Sequence, residues 1–468
     1  MKKITAILLV LILAFSILPV SAVESGENTS ISGGCNTLDG QLPYLGNQML
    51  ISNAAAAFLY ETNTDTVMYA QNADAQVSPA SLLKILTALI AIEKGSLTDV
   101  VTVKADVLST LPVDAAVVEL VADEVVTVED LLYCMMVGSG NDAAVALADH
   151  VLGSQQAFVT EMNRYAAELG CTGTNFTNVH GLYDKNQYTT ARDMARILVK
   201  AIQNEEFCKV FGAKYYSVPE TNKSSARHLA TQNYLINNDK VVAYFDERVT
   251  GGRTAVNNDQ TRSIASTAQV NDMNLICIVF GAKSQFEKDG YSVKVFGGYD
   301  ETKKLFDLGF TGNRTAQILH AGQVMQQNSV MNGGSDVIIG THEGAASVIP
   351  DGASENQLTY RYVNEVPLTA PIEKDQRVST LQIWYGSVCL AQTDLYAMNK
   401  VVPAGTQFAD TGKNGGAAAF WSVLLYVLGG ICVIALLGFV ALLLLRASRV
   451  AKAKRQSRRN SRNRRRSR

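Results

Sequence analysis

Ser81 and Lys84 stand three residues apart in the stretch Ser-Pro-Ala-Ser-Leu-Leu-Lys-Ile-Leu-Thr-Ala-Leu at 78–89. If that stretch is helical, positions i and i+3 share a face, so the hydroxyl and the amine can meet. A lysine taken out of water sheds its proton more readily, because desolvation disfavours the charged form. The neutral amine can then accept the serine proton and leave an alkoxide-like nucleophile. The pair is a candidate for acyl transfer. Alone it is a weak signal, since a chain of this length carries roughly one or two Ser-x-x-Lys by chance.

Two later motifs could complete such a site. Gly138-Ser139-Gly140-Asn141 offers a second hydroxyl for proton relay, and an amide for the lysine or a substrate carbonyl. The ordinary use of Ser and Asn at such a junction is a helix cap. Thr250-Gly-Gly-Arg-Thr-Ala255 sets a cation, Arg253, and a hydroxyl, Thr254, on a strand signal, where they could hold a substrate carboxylate. Its ordinary use is a turn and a strand with an exposed arginine. The histidines form no metal-like pair, and the cysteines form no Cys-x-x-Cys. Ser–Lys chemistry requires neither a metal nor a cofactor.

The elements that must position these groups follow from periodicity. Pro79 suits a first helical turn with Ser78 as its cap, and Leu82, Leu83, Leu86, Leu89 and Ile90 would bury the helix. Residues 54–60 and 66–70 read as a hairpin, and 99–120 as short strands and loops. Helices are expected over 127–137, 142–151, 155–169, 190–201 and 299–309, with a loop over 176–188. Residues 215–218, 249–256, 262–269 and 274–281 read as strands of one sheet. Residues 311–403 show short Val/Ile/Leu runs broken by Gly, Asn and Pro, the texture of a separate small all-β domain.

The 468 residues are 47% hydrophobic and 18% charged, which excludes a disordered chain and leaves room for two domains. The net charge of −2 hides segregation: residues 446–468 hold 12 basic and no acidic residues. Leaving aside Lys2 and Lys3, the remainder holds 27 basic and 43 acidic residues, a poor match to nucleic acid. Residues 1–22 read as a signal peptide, with a cationic start, an apolar core and Val-Ser-Ala before the cleavage point. Residues 23–48 form a polar, flexible lead-in and 404–416 a Gly-rich linker. Residues 417–445 are 29 residues without a charge, more than the roughly 20 that span a bilayer. The basic tail at 446–468 would then stay cytoplasmic and the catalytic part outside the cell membrane, in a single-pass arrangement. The seven cysteines are scattered and read as isolated apolar thiols, with a single disulfide left open for an exported chain.

The three motifs in this order resemble the penicillin-binding serine acyl enzymes. With Phe-Thr-Asn-Val-His-Gly-Leu-Tyr-Asp at 176–184 and Tyr-Thr-Thr-Ala-Arg-Asp-Met-Ala at 188–195, the chain is similar to the D-alanyl-D-alanine carboxypeptidases, the low-molecular-mass penicillin-binding proteins. The resemblance implies an α/β (α+β) catalytic domain of the penicillin-binding/beta-lactamase type over 49–310, with an antiparallel sheet and helices, followed by the β domain. It implies Ser81 as acylated nucleophile, Lys84 as base, Ser139 as a further catalytic group, and Asn141, Arg253 and Thr254 as substrate-binding residues. The implied partners are peptidoglycan stem peptides ending in D-Ala-D-Ala, with beta-lactams as inhibitors. His180 is read as structural. Arg253-Thr254-Ala255 stands where the family has Lys-Thr-Gly, which keeps the charge but alters its reach. That departure leaves open a weak or inactive member that binds peptidoglycan or a partner protein.

Overall fold

The computed structural model describes residues 37–38, 53–239, 241–257, 259–288, 293–363 and 365–405. The expected export signal, nearly all of the lead-in, the apolar run at 417–445 and the basic tail lie outside the described residues. Among the described residues no helix is long and apolar enough to cross a membrane.

The first part opens with the hairpin β1 (Ala56–Glu61) and β2 (Thr66–Gln71). Buried Glu61 locks it, accepting from the Thr64 N–H and hydroxyl and from the Asn274 N–H. A 3₁₀ turn, Ala80–Leu83, runs directly into α1 (Lys84–Lys94). Then come β3 (Val100–Thr102), α2 (Ala105–Leu108), β4 (Val125–Thr127), α3 (Val128–Met136), α4 (Asn141–Leu152), α5 (Gln155–Glu168), α6 (Ala191–Ala201) and α7 (Glu205–Phe211). A capping box starts α3: the Thr127 hydroxyl accepts from the Asp130 N–H, and the Asp130 carboxylate accepts from the Thr127 N–H. The hairpin β5 (Tyr215–Val218) and β6 (Arg227–Ala230) follows, then β7 (Val249–Val256), β8 (Arg262–Val270), β9 (Met273–Ala282), the short pair β10 (Gln285–Phe286) and β11 (Val293–Val295), and α8 (Gly297–Phe310).

The main sheet has the order β2-β1-β9-β8-β7. Strand alternation gives it two buried faces. Ala265, Ile276, Ile278 and Phe280 join Leu86, Leu89 and Ile90 of α1 and Met194 of α6 in one large apolar cluster. Ile264 joins Tyr299 of α8 in another on the opposite face. The strand β7 is an edge strand, and the 3₁₀ turn lies beside it.

The second part is all β, as its texture suggested. β12 (Asn313–Leu319) pairs with β15 (Ala345–Pro350), while β13 (Val324–Asn328), β14 (Val337–Thr341), β18 (Val388–Ala397), β17 (Arg377–Tyr385) and β16 (Leu358–Val363) lie in that order in a second sheet. Val330–Asp336, Thr369–Pro371 and residues 401–405 belong to a separate small unit, joined by the bridges Met331↔Thr369 and Gly333↔Pro403.

Four expectations are corrected. Residues 78–89 are not one helix capped by Ser78: Ala80 takes a left-handed φ of 43°, so helical geometry starts beyond Pro79, and no side chain caps the 3₁₀ turn. Residues 215–218 leave the main sheet and pair with β6, because the chain turns back within ten residues and supplies its own partner. Helices α2 and α7 fall where loop or nothing was expected; each is too short for a periodic signal, although Asn204 caps α7 with its side chain. Cys134, Cys171, Cys208 and Cys277 are free thiols, Cys208 exposed, but Cys389 is disulfide-bonded.

Candidate active site

The 3₁₀ turn puts the serine and the lysine in register more directly than a helix would, since residues i and i+3 eclipse in that geometry. Lys84 Nζ lies 3.4 Å from Ser81 Oγ. It also donates to Asn141 Oδ1 at 2.6 Å and to the Ser139 carbonyl at 3.4 Å. Lys84 is fully buried, the only lysine among the described buried polar residues. Burial first and the Arg253 charge second hold its ammonium well below the usual lysine range, while Asp142 pulls the other way.

Arg253 reaches in from the edge strand and bridges three segments. Its Nε donates to the Ser81 carbonyl at 3.3 Å, Nη1 to the Met136 carbonyl at 2.9 Å and Nη2 to Ser139 Oγ at 2.6 Å. It is 5% exposed, and burial brings its pKa down to about 10. At neutral pH it therefore stays charged, and the more easily deprotonated group of the two is Lys84. A buried, bridging arginine removes the ordinary alternative, a turn and strand with an exposed arginine. Its loss would affect folding as well as any ligand.

Ser81, Lys84, Ser139, Asn141 and Arg253 are thus brought together by three stretches of chain. The Thr254 side chain is not. Register pairs Arg253 with Ala265 and Thr254 with Ile264, which lie on opposite faces of the sheet. The Thr254 side chain lies instead on the Ile264 face, which Tyr299 of α8 covers. Ala255 shares the Arg253 face, is 4% exposed and packs its methyl into the large apolar cluster.

The turn carrying Ser139 is tight: Ser139 has φ 63°, and Gly140 N–H donates to the Cys134 carbonyl. Asn141 then begins α4, its N–H bonded to the Ala116 carbonyl. On the other side, the 176–182 loop braces the nucleophile turn. Thr87 Oγ1 donates to the Val179 carbonyl at 2.9 Å, and Asn178 Oδ1 accepts from the Gly181 N–H at 2.7 Å. His180 Nδ1 accepts from the Leu182 N–H, so its ring is engaged with its own loop. Burial, then the Lys84 charge, lowers its pKa to about 4, which leaves it neutral.

Sequence reasoning assigned no part to Asp142, Thr87 or Gly181. The signal for Gly181 was its place in the 176–184 stretch. A Cβ there would stand 2.2 Å from the Ala80 carbonyl oxygen, at a φ of 90°. Gly181→Ala should therefore cost roughly 2 kcal/mol or more of stability and push the Ser81 turn out of place. The checks are a melting curve and beta-lactam labelling of Ser81; a variant that melts and labels like wild type refutes the bracing role.

Known proteins carry the same plan. Residues 47–284 match the D-alanyl-D-alanine carboxypeptidase family model, and residues 314–403 match the penicillin-binding protein 5 C-terminal domain. The chain is 32% identical to D-alanyl-D-alanine carboxypeptidase DacC of Escherichia coli K12, over 75% of this chain and 85% of that protein. It is 27% identical to DacF of Bacillus subtilis 168, over 76% of this chain and 88% of that protein. Penicillin binding protein 5 of Haemophilus influenzae is similar in structure, with a TM-score of 0.60 at 29% identity, over 75% of this chain and 98% of that one. The match runs through both the α+β and the all-β parts, and on it the chain belongs to the D-alanyl-D-alanine carboxypeptidase family.

Proposed function

We propose that the protein trims the terminal D-alanine from peptidoglycan stem peptides through an acyl-enzyme on Ser81. The observation that carries this is the surroundings of Lys84. Of its three close partners, Asn141 Oδ1 and the Ser139 carbonyl can only accept, and only Ser81 Oγ can also donate. A neutral amine has two N–H groups and one lone pair. With both N–H groups on the carbonyls, the lone pair faces Ser81.

The steps follow. Ser81 Oγ attacks the carbonyl of the penultimate D-Ala while Lys84 takes its proton. The Ser81 N–H is one donor to the oxyanion. The tetrahedral centre collapses with cleavage of the C–N bond, and the proton passes by way of Ser139 to the departing nitrogen. Water then attacks the ester, Lys84 again accepting a proton, and frees Ser81. Beta-lactams, as amides placed like the scissile bond, acylate the same oxygen. Arg253 supplies the positive field for the substrate carboxylate, with two N–H groups beyond those in its three contacts. The backbone of edge strand β7 offers a ladder for an extended peptide.

One observation favours a second reading, a weak or inactive binder of peptidoglycan or of a partner: much of the Arg253 fork is already engaged by protein acceptors. Intact mass after incubation of the purified full chain with benzylpenicillin separates the two. A penicilloyl adduct on wild type and none on Ser81→Ala is expected, with D-alanine released from a pentapeptide. The acylation rate should fall as pH drops through the depressed Lys84 value, because the protonated amine has no lone pair, and level off above it. A folded wild type without adduct transfers the weight to the binder.

Arg253→Gln should lower kcat/KM for peptides with a free C-terminal carboxylate by about 10- to 100-fold, the worth of one charge-assisted contact. Peptides ending in a carboxamide should lose much less. Equal losses on both would take the carboxylate role away from Arg253.

We also infer that residues 1–22 direct export and that 417–445 anchor the protein by one helix, with 23–416 outside the membrane and the tail in the cytoplasm. The uncharged run followed at once by 12 basic residues supports this. Truncation after residue 416 should release active protein into the soluble fraction. A truncated form that still sediments with membranes would overturn the anchor.

A further inference from the structure

Asp142 is 2% exposed at the start of α4, beside Asn141, and has no part in the steps above. Its carboxylate is fully engaged by backbone. Oδ1 and Oδ2 accept from the Val118 N–H at 3.1 and 3.0 Å, Oδ2 from the Leu120 N–H at 3.0 Å, and Oδ1 from its neighbour Ala143 at 3.0 Å. No lysine or arginine pairs with it directly among the ion pairs of the described residues.

A buried carboxylate costs several kcal/mol to desolvate, so its retention here calls for a reason. The segment it holds supplies one. Within 116–120, the Ala116 carbonyl accepts the Asn141 N–H, Val118 packs where a Cβ on Gly138 or Gly140 would stand, and Glu119 is strained at φ 62°. From outside, Arg227 of β6 clamps the same segment, donating to the Glu119 carbonyl and pairing with buried Glu124. Asp142 grips it from inside. The Ser139–Asn141 turn, which faces Lys84, therefore rests on a segment that Asp142 keeps in place.

We propose that Asp142 is a positioning residue for the Ser81–Lys84 pair: it fixes the 116–120 segment against the Ser139–Asn141 turn, and its carboxylate is the counter-charge to Lys84 whenever that lysine takes up a proton. The groups that face this cluster are Arg253 from β7, His180 from the 176–182 loop, Cys134 from α3 and the Arg227–Glu124 pair; His180 is neutral, and burial pushes the Cys134 thiol up to about 12, so it is neutral too. Asp142 opposes both burial and Arg253 in setting the Lys84 ammonium. A base too strongly depressed would be free of its proton but too weak to take one from serine. The carboxylate restores basicity.

The inference rests on Lys84 being the base, so the test has one readout independent of activity. In the full chain, Asp142→Asn should speed amide hydrogen exchange at one or more of Val118, Leu120 and Ala143, because one of the two accepting oxygens becomes an NH2 that faces backbone N–H groups. It should also move the acid limb of penicillin acylation to lower pH by about one unit, with a plateau roughly ten-fold lower. Asp142→Glu keeps the charge and shifts its place: its limb should stay at the wild-type pH while its plateau falls, and it decides the matter should Asp142→Asn not fold. Unchanged exchange, an unmoved limb in Asp142→Asn, or a displaced limb in Asp142→Glu overturns the proposal. The wild-type and Ser81→Ala profiles report separately on the base itself.

Discussion

Two cations share one dry site, and the chemistry depends on which of them gives up its proton. Burying an ion costs several kcal/mol even after relaxation. The cheapest relief is to discharge the group with the lower intrinsic pKa, and lysine lies about two units or more below arginine. Arg253 keeps its charge and its three protein acceptors, and its field then opposes recharging of Lys84. The lysine becomes a base through its burial first and the arginine's field second. Ser–x–x–Lys is only half of the device; the other half is an arginine 172 residues away from the serine it touches.

That separation explains why the fold is built as it is. The pairing of β1 with β9 closes the ends of the catalytic part onto each other, and β8 then presents β7 at the sheet edge beside the nucleophile turn. The helical segments between supply the second motif from the opposite side. Polar contacts finish the alignment where apolar packing is indifferent to a few tenths of an ångström. Thr87 ties α1 to the 176–182 loop, Asn178 shapes that loop, and Gly181 lets it touch the Ala80 carbonyl. These are directional contacts in a packed interior, which is where precision of this order comes from.

Most of the α+β framework was legible in the sequence, because hairpin alternation at 54–70 and helical periodicity at 127–151 and 190–201 are strong local signals. Ser81, Lys84, Ser139, Asn141 and Arg253 were legible from residue type and order. What was not legible had a nonlocal cause. The Ala80 kink answers to Gly181, a hundred residues on. Strand 215–218 read as part of the main sheet because propensity does not name a partner. Thr254 read as a site residue from its motif, and only the register with Ile264 shows its side chain on the other face. Asp142 drew no role from the sequence, because its partners are backbone N–H groups more than twenty residues back in the chain.

The altered third motif can be argued on the same ground. A lysine at 253 is a point donor on a flexible stem; an arginine is a planar fork with five N–H groups. Here the fork spans the Ser81 carbonyl, the Met136 carbonyl and Ser139 Oγ at once, a set of acceptors too spread for one ammonium to serve as well. Donating to Ser139 Oγ leaves that hydroxyl's own proton free to point elsewhere. The arginine cannot carry protons itself at neutral pH, so in the proposed mechanism the proton route rests on Lys84 and Ser139. Ala255 fits the same picture, since its methyl fills apolar space on the Arg253 face rather than standing free at the strand edge. The arginine thus trades mobility of the cation for rigidity of the turn, and under the proposed mechanism it leaves proton transfer to Ser81, Lys84 and Ser139.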